Sequence, residues 1–198
     1  MTQQQQVIEF FEKEPLLRSQ ELTDRGIDRK TIKRMVDSGE LIRVARGLYR
    51  RPDYIPHHHY SLLEARKSLP NGVICLLSAL DWHDIGTQNP SQVWVAVPRR
   101  TWRPTTLDIP VRIVTYSPKT FEAGISQVQI ENMPVNIYNI PRTIADCFKY
   151  RNKIGLDVAI EALKDVLRQR RTTVDELLRY AEICRVRAVM RPYMEILL

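Results

Sequence analysis

The stretch DRKTIKRMVDSGELIRVARGLYRR, residues 28–51, combines two hydrophobic periods and one dominant charge. From Asp28 to Ser38, Ile32, Met35 and Val36 recur at helical spacing on one side, while Arg29, Lys30, Lys33 and Arg34 fall on the other. Gly39 suits the C-cap of that helix. Beyond it, Glu40 to Arg50 places branched and aromatic residues on both sides of a turn at Ala45 to Gly47, the pattern of a two-stranded hairpin. Between Arg29 and Arg51 there are eight Lys/Arg (29, 30, 33, 34, 43, 46, 50 and 51) against two acids, Asp37 and Glu40, a local net of +6. The whole chain carries +7, so most of the excess charge sits on one helix and one hairpin.

Reading outward toward the N-terminus, Val7, Phe10 and Phe11 give an apolar helical face that ends by Pro15, since proline cannot continue the hydrogen-bonded ladder. Ser19 is placed to cap a second helix with Leu22 turned inward. Gly26 supplies a tight turn, and Asp28 is placed to cap the basic helix. The order helix, turn, helix, hairpin is that of a winged helix-turn-helix. In that motif the second helix enters the DNA major groove, which is wide enough for it and displays a distinct donor and acceptor pattern for each base pair. Arg29, Lys30 and Thr31 then stand at the end that reaches base edges, with Lys33 and Arg34 one turn later. Arg43, Arg46, Arg50 and Arg51 are suited to backbone or minor-groove contact.

Pro52 to His59 has two prolines and little apolar content, which places a boundary there: 1–53 as the DNA-binding domain and 54–198 as a second domain. The second domain reads as helices near 58–69 and 76–84, strands near 92–97, 111–116, 128–131 and 135–140, and then helices to the end. Pro141 can open one of them, Leu156 to Gln169 carries an apolar face, and Thr173 with Glu176 forms a capping signal. The expected fold class is α+β, an N-terminal winged helix-turn-helix followed by a mixed α/β domain ending in helices.

The residues 39–49, GELIRVARGLY, directly after a basic helix, resemble the winged N-terminal domain of AbiEi-family antitoxins. LSALDWH (77–83), the strand 93–97 and IPRTIADC (140–147) are similar to recurring segments of that family's second domain. The resemblance implies a cytoplasmic bacterial autorepressor that binds double-stranded operator DNA at inverted repeats. It also implies an antitoxin of a type IV, abortive-infection operon that counteracts a nucleotidyltransferase toxin, without requiring a stable complex with it.

Other chemistries find little support. No apolar run reaches the length of a membrane span, and the Gln-rich start lacks the basic flank and apolar stretch of a signal peptide. Cys75, Cys147 and Cys184 are scattered and read as reduced, buried small hydrophobes rather than a disulfide framework or zinc site. His57, His58 and His59 are consecutive, and helical neighbours diverge by about 100° around the axis, so no metal is expected. Ser78, Asp81, His83 and Asp84 lack the nucleophile elbow of a hydrolase. No Walker loop or G-x-G-x-x-G is present, and no cofactor is expected. The alternative class is a winged helix fused to a nuclease. Metal-dependent nucleases of the restriction type need an acid followed at i+2 by Lys, and after residue 54 no such triplet occurs. A second basic surface is expected among Arg99, Arg100 and Arg103, beside Trp102, with Arg168 and Arg171 adding charge on the terminal helices.

Overall fold

The computed structural model describes residues 1–101 and 109–197. They divide into two compact units. The first includes Met1–Pro70 and Gln129–Val135; the second includes 71–101, Pro110–Val128 and Asn136 onward.

The first unit begins with α1 (Gln3–Lys13), β1 (Leu17–Arg18), α2 (Ser19–Asp24) and α3 (Arg29–Asp37), followed by β2 (Ile42–Ala45) and β3 (Leu48–Arg50). The glutamine run is helical. A capping box at Thr2 and Gln5 starts α1 at Gln3, satisfying two of the first-turn amides reciprocally. Val7, Phe11, Leu17, Leu22, Ile27, Ile32, Met35 and Leu41 form one core, with Phe10, Val36 and Tyr49 packed at its edge. β3 lies between β2 and the two-residue β1, so the hairpin belongs to a three-stranded antiparallel sheet. Two residues are too few to show alternation, which is why β1 escapes a reading by period.

The turn between α2 and α3 is fixed by backbone geometry. Gly26 adopts φ +87°, the Gly26 amide donates to the Thr23 carbonyl and the Ile27 amide to the Leu22 carbonyl. This is a Schellman closure with Ile27 folded over Leu22, and the left-handed position favours glycine.

Residues 51–59 carry no regular structure and lead into α4 (Tyr60–Ser68), which clusters with the first unit up to Pro70, whereas the sequence reading begins the second domain at 54. The attachment is polar. The Lys67 ammonium, only 7% exposed, pairs with Glu14 at 3.3 Å and with Glu21, and Arg18 donates to the Lys67 carbonyl. Burial alone would raise the Glu14 carboxyl, but its hydrogen bond from Arg25 and the charge of Lys67 hold it below the usual carboxylate range.

A five-stranded sheet of order β6-β5-β4-β8-β7 is formed by β4 (Val73–Ile74), β5 (Val93–Pro98), β6 (Val111–Tyr116), β7 (Ile125–Ile130) and β8 (Met133–Tyr138); it belongs to the second unit except for Gln129–Val135 around the β7–β8 turn. β5 pairs parallel with β6 and antiparallel with β4, which in turn pairs parallel with β8. Val93 to Val97 are all buried, as a continuous apolar run requires of a strand covered on both faces. Glu131 and Asn132, both left-handed, make the two-residue turn between β7 and β8. Helices α5 (Leu76–Trp82), α6 (Pro118–Glu122), α7 (Ile140–Lys149), α8 (Arg151–Ile154), α9 (Leu156–Arg168), α10 (Val174–Cys184) and α11 (Arg187–Leu197) complete the unit. α7 packs against α5, α9 and α10, and Cys75, Cys147 and Cys184 are buried free thiols in this core. Among the described residues no helix is long and apolar enough to cross a membrane.

Candidate nucleic-acid interface

Helix α3 owes its placement to residues on both of its ends. Asp28 occupies the N-cap position, yet its side chain makes no capping bond. Gln3, at the start of α1, instead holds this end of the helix through side-chain and N-cap contacts. Its amide nitrogen donates to the Gly26 carbonyl at 3.3 Å and to Asp28 Oδ2 at 3.2 Å. Its amide oxygen accepts from the Asp28 backbone at 3.2 Å and from the Thr31 hydroxyl at 2.8 Å. One side chain thus ties the turn, the helix start and α1 together. Sequence reasoning missed Gln3 because a residue 25 positions away leaves no local capping signature.

This arrangement corrects the place of Thr31. It is 7% exposed and its hydroxyl is committed to Gln3, so it faces α1 and not the open side of the helix. Ile32 and Met35 are buried with it. Arg29, Lys30, Lys33 and Arg34 are all exposed, giving α3 one cationic face. Two of these cations stand in the first turn, which contains no acid. The helix N-terminus carries positive partial charge and prefers acids there by about 0.3–1 kcal/mol per charge. The first turn of α3 thus carries two cations where the dipole alone would favour acids, behind the acidic N-cap residue Asp28.

The hairpin contributes unequally. Arg46 and Gly47 form the two-residue turn between Ala45 and Leu48, and the Ser19 amide donates to the Gly47 carbonyl at 2.8 Å, fixing the tip to the start of α2. Arg43 and Arg46 are exposed. Arg50 departs from the sequence reading: its guanidinium donates to the carbonyls of Arg51 at 2.9 Å and Tyr54 at 3.2 Å, and it is half-buried. Arg51 forms a two-pronged ion pair with Asp53, whose carboxyl is lowered by that hydrogen bond. The alternation of the strand turns Arg50 back toward the segment that follows, and an acid two residues on captures Arg51. Six of the eight are exposed: Arg29, Lys30, Lys33, Arg34, Arg46 and Arg43, whose Nε donates to the Ala45 carbonyl at 3.3 Å.

The second basic surface is redistributed. Arg168 pairs with Asp165 at 2.8 Å and Arg171 donates to the carbonyls of His83 and Asp84. Neither joins Arg99, which instead lines a cavity with Lys149, Arg151 and Arg185. Arg100 is exposed, while Trp102 and Arg103 lie outside the described residues.

Residues that invite other chemistry have structural partners. The Ser78 hydroxyl accepts from the Trp94 amide at 2.9 Å, and His83 Nε2 meets the Tyr138 carbonyl at 2.8 Å; burial lowers the His83 pKa. They do not converge as a nucleophile and its base. His57, His58 and His59 precede α4 rather than lying on it, so the helical divergence argument does not apply. The rings of His58 and His59 are 4.6 Å apart, and the His59 amide donates to His57 Nδ1 at 3.3 Å.

Comparison with known proteins adds two findings. Residues 5–52 match a family model described as a transcriptional regulator, AbiEi antitoxin, a span that runs from within α1 to just past β3. The crystal structure of the RV2827C protein from Mycobacterium tuberculosis matches with a TM-score of 0.62 at 15% identity, over 92% of this chain and 72% of that one. At that identity the likeness is one of fold. No curated relative matches the sequence.

Proposed function

We propose, taking the match of residues 5–52 to antitoxin transcriptional regulators as premise, that this chain is a DNA-binding autorepressor and the antitoxin of a type IV toxin–antitoxin operon. In this reading α3 enters the major groove of operator DNA and the hairpin tip follows the adjacent backbone. The observation that carries it is the cationic face of α3: four exposed Lys/Arg, two of them at the helix end where cations are disfavoured, on a helix whose position is fixed by Gln3. The part opposing a nucleotidyltransferase toxin falls to the C-terminal region, by the resemblance of its segments 77–83 and 140–147.

The test is a gel shift with the fragment upstream of the chain's own gene, joined to co-expression with the neighbouring gene. The upstream fragment is expected to bind tighter than random competitor by about a thousandfold, the lower end of the usual specificity range. The chain is also expected to restore growth against the neighbour's product. Equal binding of both DNAs would refute repression, and unrescued growth would refute the antidote role.

A further inference from the structure

The second unit contains a cavity of about 590 Å³, a volume typical of small-molecule sites. Its charged lining consists of Arg99, Lys149, Arg151 and Arg185, with no acidic residue among the lining positions. Four elements deliver these cations. Arg99 follows β5, Lys149 ends α7, Arg151 opens α8, and Arg185 caps α10. Bringing four positive charges together without a carboxylate is unfavourable for the empty protein, and an anionic ligand offsets that repulsion.

Two further observations point the same way. Tyr116 lines the cavity and is 1% exposed, and its buried hydroxyl lies by the Asp146 carboxyl. The Lys149 ammonium stands 5.2 Å from the centre of the Tyr116 ring, which holds that cation at the wall. Arg185 is the second. Its backbone is left-handed, φ 60° and ψ 43°, at a helix end where glycine is the favoured residue. Arg185 lines the cavity from that position.

We infer that this cavity binds a small ligand carrying two or more phosphoryl groups, held by Arg99, Lys149, Arg151 and Arg185. Guanidinium groups pair with phosphate oxygens through two parallel N–H bonds, and a lysine supplies a point charge between them. The ligand is either a free polyphosphate or the phosphate tail of a nucleotide, and the experiment separates these sources. The inference does not rest on DNA binding, because none of these residues lies in α3 or the hairpin.

Titration calorimetry of the full chain with inorganic tripolyphosphate and, separately, with ATP tests it. Arg185→Gly is the informative variant, because glycine relieves the left-handed backbone while removing the charge, so folding is preserved. Binding of tripolyphosphate is expected, and Arg185→Gly and Arg99→Gln are each expected to weaken it by about tenfold or more. Equal affinity for ATP and tripolyphosphate identifies a phosphate site alone; tighter ATP binding identifies a nucleotide site. The inference is overturned if neither ligand binds, or if Lys33→Ala weakens binding as much as Arg185→Gly, which would mark diffuse charge attraction. It is also overturned if Arg185→Gly weakens operator binding to the same degree, because the cavity wall would then be part of the DNA surface.

Discussion

Asp146→Ala is expected to lower the unfolding temperature of the second unit by about 6–20 °C, corresponding to about 3–5 kcal/mol for breaking a fully buried ion pair from one side. Arg142 and Asp146, one helical turn apart on α7, meet at 2.9 Å with neither side chain exposed. The Arg142 guanidinium also donates to the carbonyls of Thr120 and Ala123 and sits 4.3 Å above the Tyr138 ring. Gly124 makes this approach possible: a Cβ there would stand 2.8 Å from the Arg142 Cβ and 2.9 Å from the Tyr180 ring. Burial raises the Asp146 carboxyl even with Arg142 beside it, so that carboxyl can neutralise itself by taking a proton. Arginine has no such escape, and removal of Asp146 strands its charge in the core. Replacing both residues with apolar ones of similar volume, Arg142→Met with Asp146→Leu, is expected to recover most of the loss. Calorimetric unfolding of the three proteins measures this. A shift below about 2 °C for Asp146→Ala would mean that water reaches the pair.

Operator affinity is expected to fall steeply with salt. If the six exposed cations of α3 and the hairpin each neutralise a phosphate, the slope of log K against log salt is near −5, and affinity drops about a thousandfold between 50 and 200 mM. Arg50 and Arg51 are left out of this count because both are half-buried, Arg50 against backbone carbonyls and Arg51 beside Asp53. Arg50→Gln and Arg51→Gln are therefore expected to leave the slope unchanged, whereas Lys33→Gln with Arg34→Gln reduces it by about 2. Filter binding across a salt series gives the slope. A value shallower than about −2 would mean that the basic cluster is solvated surface and meets few phosphates.

The winged helix was legible because its signals are local. Helical spacing of Ile32 and Met35, the glycines at 26 and 39 and the basic hairpin all act within a few residues of themselves. What stayed hidden depends on distant partners. Thr31 is indistinguishable in sequence from an exposed helix residue until Gln3 is brought against it. α4 reads as the start of a second domain until Lys67 meets Glu14 and Glu21. Arg142 and Asp146 share a helix face, which in a lone sequence looks like a solvated charged stripe; their burial follows from the helices packed around α7. The cationic cavity was out of reach for the same reason, since Arg99 and Arg185 are 86 positions apart and only the fold brings them together. Arg168 and Arg171 looked equivalent to Arg99 on charge alone, but Asp165 and the His83 and Asp84 carbonyls engage them.

Competition binding of Arg29→Ala, Lys30→Ala and Arg46→Ala, each on the operator and on single-base-changed operators, tests the role of α3 most directly. Arg29 and Lys30 stand at the helix end that reaches base edges, so each substitution is expected to cost about 1–3 kcal/mol on the preferred site and to relax the choice of base there. Arg46, at the hairpin tip, is expected to weaken operator and random DNA by similar factors. The opposite pattern, in which Arg46→Ala erases sequence preference while Arg29→Ala and Lys30→Ala preserve it, would make the hairpin the reading element and contradict the assignment of α3 as the recognition helix.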